Sequence, residues 1–170
     1  METEPKDVIV LGSIRRGKVK FSNIQSETKI AADELNSILE ELEKKNFIAV
    51  EEKNGWFGKK IELKITEEGS TELDRKIMQI QNKWKEMQSI YQSGDKQKLQ
   101  QKMEENKSLL PTMMFFGMMD MVMFSMMFSM MGIGMSDYVS QENMPDGGMD
   151  DGGTGDGGMD DGGFDFDIGF

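Results

Sequence analysis

The sequence predicts a mostly α-helical chain carrying one β-hairpin, and three observations predict it. Apolar residues recur at helical spacing in several stretches between residues 7 and 110. The period changes to strand-like alternation only between Phe47 and Thr66, on either side of Asn54-Gly55. Beyond Met135 the composition turns to glycine and aspartate, which cannot build a core, so a disordered tail is expected there. The expected divisions are a small domain over 1–69, a helical arm over 70–110, a methionine-rich apolar helical segment over 111–135 and the tail over 136–170.

Composition narrows the chemistry. The 170 residues carry a formal charge of -11. Ten acidic residues and no basic one lie beyond Met135, which leaves the first 135 residues near -1. Cysteine and histidine are both absent. Disulfides, thiolate metal sites and a thiol nucleophile are excluded, and so are the commonest general base and metal ligand. No nucleophile-plus-base arrangement stands out among the remaining carboxylates, lysines and serines, so the expectation is a non-enzymatic protein without metal or cofactor. The N-terminal METEPKD lacks the basic-then-apolar pattern of a signal peptide, and a cytoplasmic setting is expected.

In chain order, Asp7–Arg16 is a short apolar run ending in two arginines, with Gly17 as a stop, and suits a first helix. Phe21–Glu27 reads as a second short helix with Ser22 as its N-cap. Asp33–Lys45 is the clearest helix: Leu35, Ile38, Leu39 and Leu42 follow the i, i+3, i+4, i+7 rule, and Asp33 suits an N-cap or first-turn acid. Phe47–Glu52 and Lys60–Thr66 read as paired strands, with Asn54-Gly55 supplying the turn and Trp56 and Phe57 in the loop.

Three helices followed by a hairpin is the element order of a winged helix-turn-helix domain. The stretches IVLGSIRRG, DELNSILEELEKKNFI and KKIELKITEEG also resemble the PadR/MarR-type winged-helix transcription regulators, over about residues 6–75. Asn46 stands where that pattern has glycine, a substitution that the left-handed conformation tolerates. The resemblance implies a dimeric regulator that places the start of Asp33–Lys45 in the major groove and the hairpin near the DNA backbone. Asn36 and Ser37 would then reach base edges, and Arg15, Arg16, Lys18, Lys20, Lys29, Lys59 and Lys60 are the candidate phosphate contacts. Charge argues the other way. Asp33–Lys45 holds five acids against two lysines, and a winged helix kept for protein contacts stays open beside the DNA reading.

From Ser70 a long helix follows, with Leu73, Ile77, Ile80, Trp84, Met87 and Tyr91 spaced 4-3-4-3-4. That is an a/d seam, read as a homodimer interface in preference to packing within the chain. Ser93-Gly94-Asp95 breaks the helix, and Asp95 caps a next one that is expected to end before Pro111.

Eleven of the eighteen methionines lie between Met113 and Met135. Asp120, Ser125 and Ser129 share no single face, so one helix through this stretch would be apolar all round and must be buried in protein, in lipid or around a client. A membrane span over 112–135 is long enough, but its hydropathy is borderline and Asp120 near the middle would cost about 2.5–3.5 kcal/mol. Methionine's flexible thioether suits adaptable binding surfaces, and the composition is similar to the client grooves of signal-sequence-binding factors. On that reading Met113, Met114, Phe115, Phe116, Met118, Met119, Met121, Met123, Phe124, Met126, Met127, Phe128, Met130 and Met131 are the client-binding candidates. An oligomer core or helical hairpin is the third reading. A thioether copper site is set aside, since phenylalanines interleave the methionines and no histidine or cysteine is present.

The tail repeats DGGMDDGG twice at a ten-residue period, without the pattern of a calcium-binding repeat. It ends in Phe164, Phe166, Ile168 and Phe170 set among acids, similar to the Phe-terminated acidic hooks that engage basic pockets on partner proteins. The function expected first is therefore a winged-helix regulator binding duplex DNA. The alternatives are a chaperone-like interaction adaptor and a membrane-anchored winged-helix protein.

Overall fold

The computed structural model describes residues 5–140, so the tail hook of Phe164, Phe166, Ile168 and Phe170 lies outside the described residues. Those described residues are mostly helical, with a two-stranded antiparallel hairpin. The central element is α1 (Lys6–Arg15), in which every residue from Val8 to Ile14 is buried. With no polar stripe to turn toward water, it is surrounded: α2 (Phe21–Thr28), α3 (Ala32–Lys44), β2 (Gly58–Ile65), α4 (Glu67–Ser93) and α6 (Leu110–Phe115) all pack on it. Its one buried hydroxyl, Ser13, donates to the Glu27 carboxylate.

The second helix starts at Phe21, because the Asn23 and Ile24 amides already bond to the Lys20 carbonyl. Ser22 is therefore inside the helix, and no side chain caps this end. In α3, Leu35, Leu39 and Leu42 are buried, while Asp33 and Glu34 occupy the first turn, where the helix dipole favours acids. Asn46 adopts φ 58, as its place after a helix suggested.

β1 (Ile48–Gly55) pairs with β2 through Ile48↔Ile65 and Val50↔Leu63. Asn54 and Gly55 are not the turn: they pair with Lys59 and Gly58, and the loop is Trp56-Phe57. A turn at Asn54-Gly55 would set Ile48 against Ile61 and leave Leu63 and Ile65 without cross-strand partners, so apolar pairing overrides the local turn signal. Thr66 closes the unit. Its hydroxyl donates to the Asn46 carbonyl at 2.6 Å and accepts from the Gly69 amide at 3.0 Å, capping α4.

The heptad seam on α4 is filled from within the chain. Leu73, Ile80, Trp84 and Met87 are buried and Ile77 and Tyr91 half-buried within the chain. The seam spacing marks a narrow apolar stripe, and here the stripe is covered by α1, α5 (Lys96–Glu105) and α6. Gly94 at φ 78 ends α4, and Asp95 caps α5 by accepting from the Lys98 amide at 3.0 Å. α5 stops at Glu105, earlier than expected. A short 3-10 turn (Lys107–Leu109) follows, and Pro111 sits in the first turn of α6, where a missing amide proton costs nothing.

The methionine-rich segment is not one helix. It breaks at Gly117 (φ 64) into α6 and α7 (Met121–Met131). Asp120 is the N-cap of α7, its Oδ1 accepting from the Val122 and Met123 amides at 2.9 and 3.2 Å. An eleven-residue helix is about 16 Å long against the roughly 30 Å of a bilayer core. No helix among the described residues is long and apolar enough to cross a membrane, and 112–135 holds two helices where one was expected. The segment folds back instead. Phe124, Met127, Phe128 and Met131 are buried, α7 packs on α5, and the Phe124 ring lies 6.2 Å from Trp84 and 4.9 Å from Phe128. One buried cluster runs from Val8 to Val139.

Candidate interaction face

Strand alternation gives the hairpin two unlike faces. Register places Ile48, Val50, Ile61, Leu63 and Ile65 on one side, with Glu52, Asn54 and Lys59 continuing it toward the tip. Glu51, Lys53, Lys60, Glu62 and Lys64 fall on the other, where Lys53–Glu62 and Lys64–Glu51 ion pairs close at 2.7 and 3.2 Å. The hydrogen bond from Lys53 holds the Glu62 carboxyl below the ordinary value and raises the lysine. The apolar side turns toward α3 but is longer than the core it covers. Ile48 and Leu63 are buried, whereas Val50 is 43% and Ile61 61% exposed.

Between α3 and that face lies a groove of about 370 Å³. Val19, Leu39, Ile48 and Leu63 form its floor, and Phe21, Val50 and Ile61 are the exposed apolar residues along it. Val19 is held by its carbonyl, which accepts the Leu63 amide at 2.8 Å and covers part of the outer edge of β2. Asn36, Glu40 and Glu43 line the α3 side. Asn36 donates to Glu40 at 3.0 Å, so the amide is engaged along the helix. Glu43 makes no ion pair among the described residues. At the tip of the hairpin, Trp56 and Phe57 are each 96% exposed.

The residues expected to read DNA are only partly gathered here. Asn36 is on the groove, and Ser37 is exposed beside it, its hydroxyl donating to the Asp33 carbonyl. Lys59 is on the hairpin and paired with Glu52 at 3.3 Å, and Lys60, on the charged side, makes no ion pair among the described residues. Arg15 and Arg16 serve the fold. Arg15 reaches Asp74 at 2.5 Å, while Arg16 donates to the Phe115 carbonyl at 2.6 Å, stacks over the Phe115 ring at 4.3 Å and faces Glu27 at 3.6 Å. Lys18, Lys20 and Lys29 carry no ion pair among the described residues. Lys29, in the left-handed conformation, lines a separate 510 Å³ cleft between α1, the α2–α3 link and α6, together with Lys6, Glu34, Pro111, Met114 and Ser140.

Of the client-binding candidates, Met113, Met119, Phe124, Met127, Phe128 and Met131 are buried in the chain's own core. Met114, Phe115, Phe116, Met118, Met121, Met123 and Met130 are half-buried, and Met126 is exposed beside Val122. Sequence reasoning missed Val19, Phe21, Leu39, Glu40, Glu43, Val50 and Ile61 as a site. The available signal was that the apolar alternation of β2 runs one residue pair past what a small core needs. Comparison with family models, with curated proteins and with solved structures finds no match for this chain.

Proposed function

We propose that this chain is a non-enzymatic protein-interaction adaptor whose N-terminal unit is a winged helix-turn-helix turned to protein contacts. The observation that carries the reading is the charge of α3. Its outward side bears Asp33, Glu34, Glu40, Glu41 and Glu43 against Lys44 alone within the helix. Phosphate neutralisation supplies most non-specific DNA affinity, and an acidic helix opposes it. The body offers no compensating field: the described residues hold all twenty basic residues and, with the eleven acids outside them set aside, twenty acidic ones. In this reading the methionine-rich segment is the packing that fixes α1 and α4, and the Phe-terminated tail is a second, separate contact point.

One observation favours the PadR/MarR-like reading, in which the chain binds duplex DNA. Lys18, Lys20, Lys29 and Lys60 make no ion pair among the described residues and are available to phosphates. A salt titration of duplex binding separates the two. The adaptor reading expects no duplex binding by the wild type at about 0.15 M salt, and gain of binding in Glu40→Lys plus Glu43→Lys. Wild-type binding that falls steeply with salt, and that Lys59→Glu plus Lys60→Glu weakens, would establish the DNA reading instead.

A further inference from the structure

We infer that the groove between α3 and the hairpin is a docking site for a basic amphipathic protein segment, with apolar side chains on Val50, Ile61 and Phe21 and lysines or arginines against Glu40 and Glu43. The inference rests on the adaptor reading and names its partner's chemistry.

Shape and charge both constrain the occupant. At about 370 Å³ the groove falls in the range of ligand pockets, roughly 300–1,000 Å³, and its floor is wholly apolar. The exposed apolar residues Phe21, Val50 and Ile61 all line it, so an occupant needs several apolar anchors. The charged residues lining the groove are both acidic, and neither is tied up by a lysine or arginine among the described residues. Of the neighbouring basic residues, Lys60 sits on the opposite side of the hairpin, where with Lys20 it acts on Glu62, and Lys59, which shares the side of Ile61, is paired with Glu52 at 3.3 Å. A segment with apolar anchors and a basic flank is complementary on both counts.

The same charges decide against the chain's own tail as the occupant. Residues 141–170 contain nine acids and no basic residue, so Phe164, Phe166, Ile168 and Phe170 would bring carboxylates against Glu40 and Glu43. They decide equally against DNA in this groove.

The test uses the full-length protein and synthetic helical peptides with leucines on one side and lysines elsewhere. Two relatives are compared, one with glutamates for the lysines and one with serines for the leucines, along with a peptide of residues 156–170. Binding is read by fluorescence polarisation. The acidic tail attracts any cation, so the decisive comparison is between wild type and groove variants that keep the tail. The lysine–leucine peptide is expected to bind wild type at least about tenfold tighter than either relative or the tail peptide. Ile61→Glu, at an exposed position, and separately Glu40→Lys with Glu43→Lys, should each weaken it by about tenfold or more. The double variant should also gain affinity for the glutamate peptide. Circular dichroism checks that each variant is folded, and Val50→Glu stands in should Ile61→Glu unfold.

Equal affinity of the lysine–leucine peptide for wild type and folded groove variants overturns the proposal, as does failure to bind wild type. Binding of the glutamate or tail peptide that Ile61→Glu abolishes would keep the groove and the adaptor reading but overturn the partner chemistry. Duplex DNA that competes with the peptide and binds wild type on its own would overturn the adaptor reading itself.

Discussion

Replacing Phe124 by alanine removes the side chain on which the packing of the methionine-rich segment turns. The ring is fully buried, tilted 59° against Trp84 at 6.2 Å and set edge-on to Phe128 at 4.9 Å. Loss of a buried phenylalanine costs about 3–5 kcal/mol, transfer and cavity together, and the two ring contacts place this site toward the upper half of that range. Small domains have roughly 5–15 kcal/mol in all, so about a quarter or more of the stability would go. For a body of this size that corresponds to a fall in Tm of about 10–20 °C. The assay is urea unfolding followed by circular dichroism and by tryptophan fluorescence, since Trp84 reports on the site directly. Met126→Ala, on the exposed side of the same helix, serves as control and should cost less than about 1 kcal/mol. If Phe124→Ala unfolds within about 0.5 kcal/mol of wild type, or with the same loss as the control, α7 is not part of the folded core and the reasoning fails.

Three further outcomes follow from the same packing. Asp120→Ala should lose about 0.5–2 kcal/mol by uncapping α7, and Asp120→Asn should recover most of it, both measured by denaturant midpoint. Gly69→Ala should be among the most damaging single-methyl changes, because its Cβ would lie 2.0 Å from the Phe47 carbonyl oxygen. A loss of at least about 2 kcal/mol is expected from backbone that cannot yield, and stability equal to wild type would refute the contact. Acidification should destabilise the protein below about pH 4.5. Lys53, Arg75 and Lys102 hydrogen-bond Glu62, Glu72 and Glu105 and hold these carboxyls below their ordinary 4.5. Groups depressed in the folded state contribute stability above that value and lose it as pH falls through their folded range. Their exposure keeps the effect small, and Glu62→Gln should flatten its share of the Tm–pH curve.

Much of the fold was legible because its signals are local. The Leu35–Leu42 stripe, the alternation of KIELKIT and the Gly94-Asp95 stop each specify an element without help from distant residues. The hairpin turn was not, since Asn54-Gly55 is a strong local signal that four apolar residues outvote across the strands. The methionine-rich segment resisted for a different reason. A run without a polar stripe carries no face information, so where it breaks depends on single residues, Gly117 and Asp120. Asp120 read inside a continuous helix is a burial penalty, and read as a cap before an apolar run it is a start signal. The candidate site was half visible: Asn36 was named, but Val50 and Ile61 looked like ordinary strand residues until register placed them at the exposed end of an apolar row.

The reach of Arg16 to the Phe115 carbonyl spans ninety-nine residues of sequence, and Gly12 lies so close to the Phe116 ring that a Cβ there would meet it at 2.5 Å. This contact sets a schedule for biogenesis. The first helix is apolar on every side, yet one of its walls is made of residues synthesised about a hundred positions later. At roughly 5–20 residues per second, that wall arrives about 5–20 s after the helix itself. During that interval the nascent chain displays the surface on which holdase chaperones act. Completion of folding therefore waits on the last stretch of the body to be translated, and a ribosome stalled before Phe115 would leave a product whose oldest helix is still uncovered.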